Sequence, residues 1–341
     1  MPEIRYVKAV TDALAEEMLR DERVIIFGED IGASGGTFGA TRGLYEKFGK
    51  ERVRDTPISE SAIVGAAIGA AANGLRPVIE IMFMDFIATC WDQVVNQMAK
   101  MRYMFGGQLT LPVVLRTHIG AGLNAGAQHS GSLEAWAVHV PGLKVVMPAT
   151  PADAKGLLKT AIRDDSPVIF IENKTLYAMK GDVPDGEHLV PLGVAAVVRE
   201  GRDVTVVGVS RMVHEALAAA TLLAEEGITV EVIDPRTLSP LDRATILGSV
   251  KKTGRLVVVH EAWSPCGIGA EIAAIVAEDG FDTLRAPVRR VTPPFTPVPF
   301  SPPMEKLWVP DAGRIAAAVR EVVGLATTSV PAGGNSAQRR G

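Results

Sequence analysis

Short β-branched runs alternate with longer alanine-rich stretches of helical period along most of the chain. That alternation restricts the fold to α/β layers in which helices cover largely parallel sheets. The runs predict strands at Val24–Gly28, Pro77–Glu80, Val113–Thr117, Lys144–Met147, Val168–Ile171, Thr205–Val209, Thr229–Ile233 and Leu256–His260. Helices are predicted at Val7–Arg20, Ser59–Asn73, Phe86–Met101, Pro151–Arg163, Met212–Glu226 and Ile268–Glu278. A chain of 341 residues is long enough for two domains, each with its own core. The segment Lys180 to Gly193 is rich in Pro, Gly and charge and has no sustained period, so the boundary is placed there: a first domain over 1–180, a linker over 181–193 and a second domain over 194–325. Residues 326–341 have the composition of a disordered tail. The segment Pro293 to Pro303 is too dense in proline for a central strand or helix.

Composition removes several function classes. With 47% hydrophobic and 22% charged residues the chain is outside the disordered regime, and a net charge of −4 gives no footprint for nucleic acid. The most apolar run, Ser61 to Ala72, is shorter than the about 20 residues a membrane helix needs and is interrupted by Gly65 and Gly69, so no membrane partner is expected. The N-terminal residues lack a signal peptide's charged and apolar regions. Cys90 and Cys266 are far apart and lack metal-ligand spacing, which together point to a reducing, cytoplasmic setting.

Two glycine motifs resemble nucleotide loops without meeting their spacing. Gly120-Ala121-Gly122 is followed by Gly126, not by a third glycine at the fingerprint position, and reads as a tight turn carrying polar groups. Gly267-Ile268-Gly269 reads as a simple strand-to-helix turn. The segment Asp55-Thr56-Pro57-Ile58-Ser59-Glu60 is more informative. Ser59 can cap the following helix, and Glu60 then sits in its first turn, where the helix dipole favours a carboxylate. The helix itself has no charged face, so it is expected to be buried all round, its glycines and alanines admitting close approach by a neighbour. A carboxylate at the mouth of a buried helix is costly unless something binds it. The residues alone leave a structural and a functional role for Glu60 equally open.

The stretches DTPISESAIVGAAIGAAANGLRP, EIMFMDFI with DQVVNQMAKMRYMFGG, and AGAQHSGSLEAW with HVPGLKVVMPATPADAKGLLKTAIRDDSPVIFIEN carry a resemblance. Over about Ile4 to Val323 the chain is similar to the β subunit of the thiamin-diphosphate-dependent first component of 2-oxo acid and acetoin dehydrogenase complexes. The resemblance implies a pyrimidine-binding domain followed by a transketolase C-terminal-like domain, each an α/β sandwich. It places Glu60 against a ring nitrogen of the cofactor's aminopyrimidine, where a carboxyl sharing a proton favours the imino tautomer that deprotonates the thiazolium carbon. It places Phe86 against the aminopyrimidine ring, where a plain core role is compatible as well. Glu29 and Ile58 match cofactor-pocket positions, and Met82 stands where branched-chain relatives have glutamine, so an apolar contact is expected there. His129 matches the histidine at the substrate end, placed to exchange a proton as the acyl group passes to a lipoyl group; a loop-stabilising role is the alternative. The other five histidines, His118 among them, have no comparable neighbours. Main-chain carbonyls of Val113, Ala161, Ile162, Asp164 and Ser166 match a monovalent cation site, potassium in kind, with asparagine common where this chain has Ser166.

A thiamin diphosphate enzyme holds the diphosphate through Mg2+, usually with Gly-Asp-Gly followed by an Asn pair. No Gly-Asp-Gly occurs in this sequence. The chain therefore carries half a site, and the resemblance implies an α subunit that supplies the other half in a heterotetramer of two α and two β chains. The Gly65–Gly69 face is a candidate for packing in that assembly. The glycine-rich Gly32 to Gly43 reads equally as a mobile loop near the cofactor or as solvent-exposed slack. The further partners implied are a dihydrolipoyl acyltransferase core and its lipoyl domain. The substrate is acetoin or a 2-oxo acid such as pyruvate, the segments ISESAIVGAA, EIMFMDF, GDVPD and VTPPFTPVPFSP looking most like acetoin dehydrogenases. A non-catalytic scaffold docking the acyltransferase is the alternative, against which Glu60 and His129 together speak.

Overall fold

The computed structural model describes residues 1–324, and the tail expected at 326–341 lies outside the described residues. The first half runs β1 (Glu3–Arg5), α1 (Tyr6–Arg20), β2 (Val24–Gly28), α2 (Leu44–Phe48), β3 (Val53–Asp55), α3 (Glu60–Ala72) and β4 (Arg76–Ile81). A 3-10 turn (Met84–Cys90) and a π-helical segment (Gln93–Met98) lead to α4 (Met101–Met104), β5 (Val114–Ile119), α5 (Glu134–Val138) and β6 (Lys144–Val146). Then come α6 (Pro151–Arg163), β7 (Val168–Asn173), a second 3-10 turn (Lys174–Ala178) and β8 (Lys180–Asp182). The second half continues with β9 (Ala196–Arg199), β10 (Val204–Gly208), α7 (Met212–Ala224), β11 (Val230–Asp234), β12 (Thr237–Ser239) and α8 (Arg243–Thr253). It ends with β13 (Leu256–Val259), α9 (Ile268–Asp279), β14 (Arg289–Val291), α10 (Pro302–Trp308) and α11 (Ala312–Val323).

Seven strands form one sheet in the order β12-β6-β7-β5-β4-β2-β3, parallel except for β12, and five form a second in the order β14-β13-β10-β11-β9, parallel except for β9. The central strands β4, β5 and β7 are buried along their whole length because helices cover both faces, which is why they read as continuous apolar runs. On one face, α1 places Tyr6, Val10, Leu14 and Met18 against Leu157, Leu158 and Ile162 of α6. On the other, Ile63, Val64 and Ala67 of α3 join Ile79, Leu115 and Ile169, and that core continues without a break to Val207, Ile233, Val258 and Ile272 of the second half. A third core lies beyond the second sheet, between α7 and α11. β12 crosses from the second half to pair with β6 at the edge of the first sheet.

Five expectations need correction. The predicted helix Phe86–Met101 is broken: the Thr89 hydroxyl donates to the Phe86 carbonyl (2.8 Å), a local bond that competes with the α-helical ladder, and the segment becomes 3-10, then π, then α. The helix α3 is not buried all round within the chain, since Ala62, Gly65, Ala66 and Gly69 form an exposed strip. Ser59 occupies its N-cap position without a side-chain capping bond; Ser61 instead donates to the Thr89 carbonyl (2.7 Å). The proline-dense stretch does enter a helix, because Pro302 and Pro303 stand at the first turn of α10, where a missing N–H costs nothing. The segment Lys180 to Gly193 starts as structure, with β8 pairing antiparallel to β1.

Candidate active site

The chain leaves β2 toward β3 through α2, whose Leu44 packs in the core on one face, and leaves β4 toward β5 through the 3-10 and π segments, whose Ile87 and Val94 pack on the other. Adjacent parallel strands whose connections diverge in this way open a crevice beyond their carboxyl ends, the usual ligand position in an open α/β sheet. Gly28 lets β2 and β4 run this close, since a Cβ there would lie 2.7 Å from the Glu80 carbonyl oxygen.

Glu29 follows directly on β2, and Glu60 opens α3 beside it. Burial pushes the Glu29 carboxyl above its ordinary range, with the negative charges of Glu60 and Asp30 adding to the effect. Burial likewise pushes the Cys90 thiol up to about 12, again with help from Glu60. The Glu60 carboxylate thus sits between the end of β2 and the turn carrying Cys90, and among the described residues nothing donates a hydrogen bond to it. Ile58, just before α3, is 83% exposed and takes no part in the core.

Met82 and Phe86 come from the end of β4 and the turn after it. Both are half-buried. The Phe86 ring stands edge-on to Phe83 (centroids 5.4 Å apart) and to His129 (5.3 Å), and His129 is also edge-on to Phe83 (4.8 Å). His129 lies on the loop between β5 and α5, which the chain pins at several points. Lys174 donates to the His129 carbonyl and lies over the Phe83 ring (5.4 Å), and burial lowers its ammonium pKa. Asp85 accepts from the Gly131 N–H (3.0 Å), and a Cβ at 131 would displace it, lying 2.5 Å from Asp85 Oδ1. At the start of the loop Glu261, from the end of β13, accepts from the Ala121 N–H (2.6 Å) and from Asn173 Nδ2 (2.9 Å). The ring nitrogens of His129 make no hydrogen bond among the described residues and are free for a ligand. The glycines at 120 and 122 form a tight turn at φ of 101° and 111°.

The structure therefore places Glu29, Glu60, Met82, Phe86 and His129 beyond the carboxyl ends of the neighbouring strands β2, β3, β4 and β5, with Glu29 beside Glu60 and Phe86 against His129. Sequence reasoning missed Phe83, Asp85, Lys174 and Glu261, which contact those residues or their loops; Phe83 and Asp85 lie between Met82 and Phe86, whereas Lys174 and Glu261 are far along the chain. It also passed over His118, whose ring is fully bonded beneath the crevice. The glycine-rich Gly32 to Gly43 is not slack: Thr41 donates to the Ile31 carbonyl (2.6 Å), Thr11 to that of Ala40 (2.9 Å), and Phe38 packs edge-on to Phe83 and His118.

The carbonyls of Val113, Ala161, Ile162 and Asp164 and Ser166 gather at the C-terminal end of α6, away from the crevice. Each of those four carbonyls already accepts a hydrogen bond. Arg76 donates from Nε to Ile162 (2.8 Å) and from Nη2 to Asp164 (2.8 Å), Val168 N–H donates to Val113 (2.9 Å) and Asp164 N–H to Ala161 (3.3 Å). The Ser166 hydroxyl accepts from Arg102 (2.6 Å).

Two family models account for the chain, the transketolase pyrimidine binding domain over residues 2–180 and the transketolase C-terminal domain over 193–315. The chain is 54% identical to the acetoin:2,6-dichlorophenolindophenol oxidoreductase subunit beta of Cupriavidus necator, over 92% of this chain and 96% of that one. It belongs to the family of acetoin and 2-oxo acid dehydrogenase β subunits. A pyruvate dehydrogenase E1 component subunit beta from Bacillus subtilis is 46% identical, over 95% of this chain and 99% of the relative. Among solved structures, a split-gene transketolase described as an inactive beta4 tetramer shares the fold at a TM-score of 0.77 and 24% identity, covering 94% of this chain and 99% of its own. Membership of this β-subunit family implies thiamin diphosphate and an α partner. No helix among the described residues is long and apolar enough to cross a membrane.

Proposed function

We propose that this chain is the β subunit of a thiamin-diphosphate-dependent dehydrogenase component that cleaves acetoin and passes the acyl group to lipoamide on a dihydrolipoyl acyltransferase. Pyruvate is the second substrate in line, since the acetoin-type relatives are 54% and 50% identical and the pyruvate-type relative 46%. The observation that carries the reading is the Glu60 carboxyl group, unbonded at the head of α3, beside Glu29 and close enough to act on Cys90 in the turn that also carries the half-buried Phe86. A docking scaffold has no use for such a group.

These residues fit an aminopyrimidine: a carboxylate for a ring nitrogen, an aromatic face and the apolar Met82 side chain. When bound, the cofactor supplies a nucleophilic thiazolium carbon. Glu60 holds a proton at its carboxyl oxygen against the ring nitrogen. Glu29 stands beside it, its own carboxyl pushed up by burial and then by the charges of Glu60 and Asp30. Phe83 and Phe86 exclude water from one side, and the free His129 nitrogens give or take a proton at the substrate end. Mg2+ and the diphosphate fall to the Gly-Asp-Gly of an α subunit in an assembly of two α and two β chains. Those neighbouring chains are the occupants proposed for the small-residue face of α3. At the end of α6 the negative end of the helix dipole favours a cation. Arg76 is the cation the Ile162 and Asp164 carbonyls hold, and a potassium ion there would share their second lone pairs. The setting proposed is the cytoplasm.

Reconstitution with the α subunit tests the reading. Acetoin and pyruvate are turned over side by side, with lipoyl-domain acylation as the readout. Acetoin turnover exceeding that of pyruvate is the expected result, and no thiamin-dependent turnover of either would refute it.

A further inference from the structure

Beneath the crevice lies a buried polar network that the reaction chemistry does not use. Arg116 on β5 donates from Nη1 to Glu80 on β4 (2.7 Å) and from Nε to Glu172 on β7 (2.8 Å), and its side chain is wholly buried. From Nη2 it reaches the Tyr177 hydroxyl (3.2 Å). That hydroxyl lies 2.6 Å from Glu172 Oε2 and 2.6 Å from His118 Nε2. The other nitrogen of the ring, Nδ1, is 2.8 Å from the Met82 carbonyl oxygen. The groups facing His118 from neighbouring elements are Tyr177 from the turn after β7, the Met82 carbonyl just past β4 and the uncharged Phe38 ring.

Counting protons over these contacts leaves little freedom. A carbonyl only accepts, so His118 Nδ1 carries a proton. Arg116 only donates and occupies one lone pair of the Tyr177 oxygen. Burial and the charge of Glu172 push the Tyr177 hydroxyl well above its ordinary range, so it keeps its one proton. It can donate that proton to Glu172 or to His118, and in the remaining short contact it must accept. Either His118 is an imidazolium beside a carboxylate Glu172, or His118 is neutral beside a protonated Glu172. Both arrangements hold the same number of protons and, with Glu80 and Arg116, sum to zero charge. Loss of that proton would leave one uncompensated negative charge in a fully buried site and two lone pairs facing each other at 2.6 Å.

We propose that His118, Tyr177 and Glu172 share one retained proton beneath the cofactor pocket, and that His118 thereby fixes the Met82 carbonyl. His118 and Tyr177 are positioning residues in this account, which rests on the reading of the crevice as the cofactor pocket. Met82 is the peptide at which β4 gives way to the turn carrying Asp85 and Phe86. Holding its carbonyl sets the Phe86 ring, and through Asp85 the Gly131 end of the His129 loop.

Neutron diffraction from the deuterium-exchanged αβ assembly at neutral pH counts the protons directly. Two deuterons on His118, or one there and one on Glu172 Oε2, are expected; one on His118 with a bare Glu172 overturns the shared proton. Kinetics test the positioning role. His118→Leu is expected to raise the apparent KM for thiamin diphosphate about tenfold with a smaller change in kcat. His118→Asn, whose amide can still donate to the Met82 carbonyl, is expected to recover most of that loss. An unchanged KM in His118→Leu, or no recovery in His118→Asn, overturns the positioning role. A wild-type assembly indifferent to thiamin diphosphate defeats the pocket reading instead, and the deuteron count still decides the proton.

Discussion

Replacing Glu261 by Gln tests whether the second half of the chain holds the His129 loop in place. Glu261 accepts from the Ala121 N–H (2.6 Å) and from Asn173 Nδ2 (2.9 Å). Asn173 cannot turn over to suit a new partner, because its Oδ1 accepts from both the N–H (3.0 Å) and the hydroxyl (2.7 Å) of Thr175. A Gln side chain has one acceptor oxygen and one NH2 group. Whichever way it lies, its NH2 faces a buried N–H donor and one bond is lost. A hydrogen bond to a charged group is worth about 1.5–3 kcal/mol. At about 1.36 kcal/mol per decade, the loop should open roughly 10- to 150-fold more often. Amide hydrogen exchange in the assembly, read on peptides covering residues 118–126, measures that factor. Lipoyl acylation should fall with it, since His129 lies on the same loop. Unchanged protection over 118–126 would refute the reasoning, because it would mean Glu261 does not anchor the loop.

Glu134, whose carboxyl oxygens have no partner in another residue, is pushed by burial from 4.5 to about 7, its own backbone N–H opposing the rise and the Glu261 charge adding to it. A raised carboxyl pKa stabilises the fold fully below the unfolded value and loses that contribution as pH rises through the folded one. Wild type should therefore lose about 3 kcal/mol between pH 4.5 and 7 relative to Glu134→Gln; parallel denaturation profiles of the two would contradict this. His129→Ala should retain hydrogen–deuterium exchange at the thiazolium carbon yet lose acyl transfer to the lipoyl domain; exchange slowed as severely as in a Glu60 variant would place the histidine in cofactor activation. The isolated chain, lacking Gly-Asp-Gly, should bind thiamin diphosphate weakly or not at all, and tight Mg2+-dependent binding in calorimetry would contradict the half-site account.

What the sequence made legible follows physical locality. The helix α6 was readable to the residue because Thr150 caps it, accepting from the Asp153 N–H (3.1 Å), and Pro151 opens it. The helices α8 and α11 were missed although Asp242 and Asp311 cap them and Gly254 and Gly324 end them in the left-handed conformation. Apolar period alone did not mark α8, whose Gly248 and paired lysines break its pattern. The site was half legible. Glu60 and His129 sit in recognisable local stretches, whereas Lys174, Glu261 and the His118–Tyr177 pair act across strands far apart in sequence, where only the sheet order brings them together.

The central claim is that Glu60 activates the cofactor. Hydrogen–deuterium exchange at the thiazolium carbon of thiamin diphosphate, followed in the reconstituted αβ assembly for wild type and Glu60→Gln, measures this before any substrate binds. The account predicts an intact assembly and an exchange rate reduced by about a hundredfold or more in the variant, the scale of a positioned proton-transfer group. Exchange at the wild-type rate in Glu60→Gln would contradict it.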